Sequence, residues 1–298
     1  MEYTDKKRFP HGIITAVVTP FKNTEIDYSA FKLMISRQIK AGIDGIVLLG
    51  TTGESPTVSA SERSRLIEFA KECIDERTFL IVGCGGADTR TAQEQAKEAY
   101  QRGADGILCV TPYYNRPPQN GIVRHYLTVA EETELPLMMY NVPSRTGVSI
   151  TCKTAEVLFS HENITALKEA SSDVYDVTEK LTSLSGFDIF CGNDELLLPF
   201  LSLGAVGCVS VVSNALPCAY KTVYDKFLLS KTDEARDAFV RIRPLLKVLS
   251  QNTNPMGIKA LLSYLDLCSP DVRLPLTKCT EEELNEIIKA YSDTDFVL

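Results

Sequence analysis

Lys168 ends a short apolar run, Ile164 to Leu167, and is followed at once by Glu169 to Asp173, a stretch that reads as a turn and cap into a helix beginning near Val174. An amine at the carboxyl end of a buried strand is where a strand-then-helix fold binds its substrates. Desolvation there lowers a lysine's pKa and frees a neutral amine for Schiff-base chemistry with a carbonyl. An isolated strand-end lysine more often just snorkels to solvent. The surrounding pattern shifts the balance, because Thr51, Thr52, Tyr114, Tyr140 and Arg145 all fall just after other apolar runs.

The turn Gly50 to Glu54 reads G-T-T-G-E. Its glycines permit a tight turn whose Thr51 and Thr52 N–H groups are available to a carboxylate or phosphate oxygen, and a plain strand-exit turn is an equal reading. Tyr140 opens Y-N-V-P-S-R-T-G, at the same rim as Lys168, where a phenol can pass protons during imine formation. Arg145 lies in that loop with a planar fork suited to a carboxylate, although a surface ion pair is the commoner fate of a loop arginine.

The elements that must hold these residues recur eight times. The strand candidates are Gly12–Val18, Ile43–Leu49, Phe79–Gly83, Gly106–Val110, Leu137–Tyr140, Ile164–Lys168, Phe187–Cys191 and Gly207–Val212. Helical spacing predicts helices near 27–41, 59–76, 88–102, 120–133, 152–160, 174–185, 194–203 and 216–230 between and after them. Eight βα units with near-continuous apolar strands predict an α/β fold of the closed (β/α)8 TIM-barrel type. The first strand lacks G-x-G-x-x-G and no P-loop occurs, which disfavours an open nucleotide-binding sheet. Asp27, Ser59, Asp88 and Asp194 are the expected N-caps, and Ser59 with Glu62 fits a capping box. The phrases A-G-I-D-G-I and R-G-A-D-G-I read as one helix-to-strand solution used twice. From Lys231 onward only helical patterns remain, at 232–250, 256–267 and 281–291, so residues 1–230 form the catalytic barrel and 231–298 a helical appendage for packing or oligomer contacts.

The 298 residues suffice for one large barrel, and a net charge of −8 opposes nucleic acid or an anionic membrane as partner. Nine cysteines without a C-x-x-C pair read as small buried hydrophobes in a reducing cytoplasm. The first ten residues have no leader character and no run is long enough to span a membrane. Three scattered histidines make no metal centre, which disfavours a metal-dependent aldolase.

Taken in order, G-T-T-G-E at 50–54, P-Y-Y-N-R-P at 112–117, Y-N-V-P-S-R-T-G at 140–147, K-E-A-S at 168–171 and G-N-D at 192–194 resemble the dihydrodipicolinate synthase family over nearly the whole chain. The resemblance implies a lyase that condenses pyruvate with L-aspartate 4-semialdehyde on the diaminopimelate route to lysine, without metal or organic cofactor. Under it, Lys168 is the Schiff-base lysine, and Tyr140, Thr52 and Tyr114 relay protons, Tyr114 crossing from a neighbouring subunit of a homotetramer. Thr51 and Thr52 then bind the pyruvate carboxylate, Arg145 receives the semialdehyde carboxylate, and Val209 and Gly192 line the site.

The related N-acetylneuraminate lyase shares the lysine and tyrosine but resembles this chain less at P-S-R-T-G. A catalytically silent barrel scaffold is the alternative of a different class. Ser172 stands where the family commonly has glycine. Ser55, Pro56, Ala60, Arg63, Ala87 and Thr91 occupy positions matching the lysine-feedback site of regulated members, whose histidine, asparagine and glutamate are absent from the last four. Weak or absent lysine binding in a calorimetric titration is the expectation.

Overall fold

The computed structural model describes residues 8–184 and 186–296. The stretch 1–7, which carries most of the N-terminus read above as lacking a leader, and Ser185 lie outside the described residues. Eight parallel strands close a barrel: Gly12–Ala16, Gly45–Leu48, Phe79–Cys84, Gly106–Val110, Leu137–Asn141, Ile164–Glu169, Asp188–Cys191 and Gly207–Ser210. The last strand pairs with the first, Gly12 opposite Gly207 and Thr15 opposite Ser210. Every predicted strand is present, each ending within three residues of its expected bounds.

Strand side chains alternate between two cores. Ile14, Val47, Ile81, Leu108, Met138 and Val209 fill the barrel interior, while Ile13, Ile46, Leu80, Ile107, Met139 and Leu167 pack outward against the helices. Burial on both faces is why the strands read as continuous apolar runs. The same alternation, with Ala166 inward and Leu167 outward, turns Lys168 into the barrel.

Helix starts follow local chemistry. Asp27, Asp88 and Asp173 accept backbone N–H groups of the first turns they precede, and Ser59 forms the full capping box with Glu62. Gly42 and Gly103 adopt φ of 70° and 76°, the left-handed cap that the repeated phrase predicts. Asp194 is a correction: it caps no helix of its own, and its carboxylate instead accepts the N–H groups of Val211 and Val212, both at 2.9 Å, in the turn after the eighth strand. Burial raises its pKa against these hydrogen bonds.

A hairpin of Phe21–Lys22 and Glu25–Ile26 was not expected. Its strands are two residues each, too short to show a period, and Asn23 and Thr24 turn between them at φ of 52° and 69°. The tail forms helices Thr232–Gln251, Met256–Tyr264 and Glu281–Ser292. No helix among the described residues is long and apolar enough to cross a membrane.

Candidate active site

Lys168 and Tyr140 are register partners on the sixth and fifth strands, and the lysine Nζ lies 4.1 Å from the centre of the tyrosine ring. Both are buried, at 6% and 7% exposure. Lys168, Lys180 and Lys259 are the buried lysines among the described residues. Lys180 pairs with Glu169 and Lys259 with Glu54, whereas Lys168 has no carboxylate partner among the described residues.

The neighbour of Lys168 anchors it. Glu169 points outward and accepts both Asn141 Nδ2 contacts at 2.9 Å, the Ser171 N–H at 2.7 Å and Lys180 Nζ at 2.8 Å. This buried network ties two strand ends to helix Val174–Ser183, and sequence reasoning missed it. The signal was there: a lysine and a glutamate in K-E-A-S at consecutive positions must face opposite sides of a strand. Gly192 sits beside them, donating its N–H to the Glu169 carbonyl at 2.8 Å. A Cβ there would lie 2.7 Å from Ala170 Cβ and 3.1 Å from Lys168 Cε, so the position leaves room for the lysine only as glycine.

Over the barrel mouth lies a cavity of about 340 Å³, lined among others by Thr51, Tyr113, Tyr140, Arg145 and Asn254. Leu49 and Glu54, flanking the G-T-T-G turn, both hold left-handed backbone at φ of 55° and 53°. The Thr51 and Thr52 N–H groups have no acceptor among the described residues, as an anion-binding turn requires. Thr52 is itself 2% exposed, and its hydroxyl accepts Asn254 Nδ2 at 3.0 Å. That leaves the Thr52 proton free to be donated elsewhere.

Arg145 rides on the short helix Pro143–Thr146 with its side chain exposed and in no ion pair among the described residues. Val209 lies inside the barrel below the mouth at 1% exposure. Tyr114 is not brought in. It is 88% exposed with φ of 68°, and within this chain the cavity takes Tyr113.

The tail does more than pack. Thr253, Asn254, Pro275 and Leu276 form part of the cavity wall. Glu54 of the G-T-T-G-E turn holds them through a buried ion pair with Lys259 and by accepting the Arg273 N–H at 3.0 Å. Lys259 Nζ and Arg273 Cζ each lie 4.3 Å from the Phe21 ring, which gives the hairpin its purpose. Arg273 also pairs with Glu62 and holds that carboxyl down to about 2, while burial lowers the Lys259 pKa. Lys259 in the otherwise apolar helix M-G-I-K-A-L-L was the available signal.

His125, 3% exposed, contacts Thr89 Oγ1 through Nδ1 at 3.0 Å. Burial pushes its pKa from 6.5 down to about 4, against a smaller upward pull from Asp88. Between those values the unfolded chain holds a proton that the folded chain does not, so this contribution is complete above about pH 6.5 and is lost as pH falls toward 4. Urea unfolding should show the parent losing about 2 kcal/mol more than His125→Gln between pH 7 and 5. Equal losses would rule out the histidine as the cause. No group of three or more potential metal ligands occurs among the described residues.

The model of the dihydrodipicolinate synthetase family matches residues 9–293. The 4-hydroxy-tetrahydrodipicolinate synthase of Hydrogenobaculum sp. is 40% identical over 285 residues, covering 94% of this chain and 98% of that protein. The structure of 4-hydroxy-tetrahydrodipicolinate synthase from Methylacidiphilum fumariolicum SolV superposes with a TM-score of 0.93 at 40% identity, covering 95% of each chain. A monomeric dihydrodipicolinate synthase variant superposes at 0.95 with 33% identity, covering 98% of this chain and 99% of that one. With the family model matching residues 9–293 and a relative 40% identical over 94% of the chain, the protein belongs to the dihydrodipicolinate synthetase family of lyases.

Proposed function

We propose that the chain condenses pyruvate with L-aspartate 4-semialdehyde, the reaction of a 4-hydroxy-tetrahydrodipicolinate synthase in lysine and diaminopimelate biosynthesis, through a Schiff base on Lys168. The observation that carries this reading is a buried lysine without a counter-ion, against Tyr140 under the cavity. The Lys168 amine attacks the pyruvate ketone, water leaves, and the imine acts as the electron sink for loss of a methyl proton. The resulting enamine carbon attacks the aldehyde. Tyr140, Thr52 and Tyr114 move the protons, the Thr51 and Thr52 N–H groups donate to the pyruvate carboxylate, and Val209 and Gly192 shape the floor. No metal or organic cofactor takes part in this scheme.

Borohydride added to the protein with pyruvate tests it, since reduction locks the imine as a secondary amine. A pyruvyl adduct on Lys168, followed by consumption of the semialdehyde in the unreduced enzyme, is expected; a folded protein without adduct ends the proposal. A neuraminate lyase would form the same adduct. Arg145 in the cavity wall favours a second substrate carrying a carboxylate. Arg145→Ala should raise KM for the semialdehyde on the order of tenfold or more while adduct formation with pyruvate is unchanged. An unchanged KM would remove the assigned role.

We further infer that Tyr114, exposed on its own chain, enters the site of a neighbouring subunit in a homotetramer. One structural relative is a monomeric variant, so the fold alone does not demand assembly. Sedimentation should find an oligomer, with Tyr114→Phe lowering kcat about a hundredfold; a fully active monomer would contradict this. Residues 1–230 then act as the catalytic barrel and 231–298 as a helical region closing one side of its cavity. All nine cysteines are free, which supports a cytoplasmic location. Fractionation recovering the protein outside the cytoplasm would count against it.

A further inference from the structure

Two pairs of cysteines face each other across neighbouring barrel strands. Cys84 on the third strand is the register partner of Cys109 on the fourth, and Cys191 on the seventh is the partner of Cys208 on the eighth. All four are free and belong to the layer between strands and helices. Direct partners on adjacent strands lie about 5 Å apart with side chains on one face. That falls within the Cα separation of about 4.4–6.8 Å that a disulfide spans.

The two pairs differ in surroundings. Cys191 and Cys208 are fully buried, with Cys191 donating to the Asn193 carbonyl at 3.1 Å. Cys84 instead forms part of the cavity wall, at 6% exposure. Arg63 reaches the same strand end: Nη1 donates to the Gly83 carbonyl and Nε to Glu98, both at 2.9 Å, while Nη2 is buried with no partner among the described residues. Burial lowers the Arg63 pKa, opposed by Cys84 and Glu98. The thiolate is the form of a cysteine that attacks a peroxide. On the other side, Cys109 Sγ is 3.7 Å from His125 Nε2.

We propose that Cys84 and Cys109 form a reversible oxidation site, a dithiol that a small peroxide converts to a disulfide in the cavity wall. The Cys84 thiolate attacks the peroxide; an S–O bond forms, the O–O bond breaks, and the remaining oxygen leaves as water or alcohol after taking a proton. Cys84 is oxidised to sulfenic acid and the peroxide is reduced. Cys109 sulfur then displaces the sulfenic oxygen, which leaves as water with the Cys109 proton, and the neutral His125 ring stands ready to pass that proton on. A thiol reductant reverses the bond. The cross-link joins the two strands one residue before Gly85 and Val110, which both line the cavity.

The test exposes the folded protein to hydrogen peroxide, blocks remaining thiols with N-ethylmaleimide and maps linked peptides by mass spectrometry. A Cys84–Cys109 linkage that a thiol reductant removes is expected, with Cys191 and Cys208 still reduced. In Cys109→Ser, Cys84 should take a dimedone adduct instead, the mark of trapped sulfenic acid. Both thiols remaining reduced under peroxide that oxidises the exposed Cys218 would overturn the proposal. Linkage of both cysteine pairs to the same extent would overturn it too, because strand adjacency alone would then account for the bond.

Discussion

Lys168→Ala yields a folded barrel that forms no borohydride-stable adduct with pyruvate and loses at least about a thousandfold in kcat. The fold survives because no ion pair holds the ammonium, and the anchoring network runs through Glu169 and Lys180 on the other face of the strand. Circular dichroism should therefore match the parent while intact-mass analysis shows only the unmodified chain. Lys180 and Lys259 cannot substitute, since each is fully buried and paired with a carboxylate. Retained turnover, or an adduct on another lysine, would exclude Lys168 as the nucleophile.

Lys259→Met strands the Glu54 carboxylate, 3% exposed, without its cation and should cost about 3–5 kcal/mol of unfolding free energy. Activity should fall with it, because Glu54 also holds the tail segment that walls the cavity. Pairing the change with Glu54→Gln removes the stranded charge, and the double variant should regain most of the lost stability. A single variant as stable as the parent in urea would show that the pair carries no such weight.

The barrel was legible because its strands are buried on both faces and its helices carry local caps; Asp27, Ser59 and Asp88 act within three residues of themselves. Asp194 misled for the opposite reason. Its partners, Val211 and Val212, lie on the turn after a different strand. The Glu54–Lys259 pair spans 205 positions, and no local pattern reports such a contact. Lys168, Tyr140 and Arg145 stood out as strand-end residues of the right chemistry, and only the family motifs joined them into one site. Tyr113 in the cavity and Tyr114 in solvent could not be told apart from a Tyr-Tyr pair read as sequence.

The clasp between Glu54 and the tail also bears on how the protein comes into being. Synthesis runs from the N-terminus, so the G-T-T-G-E turn leaves the ribosome some two hundred residues before Lys259 and Arg273 exist to hold it. A nascent chain therefore already carries Lys168, Tyr140 and Arg145 while its cavity lacks a wall. Completion of the cavity wall becomes a late event of biogenesis, set by when the tail can dock on Glu54.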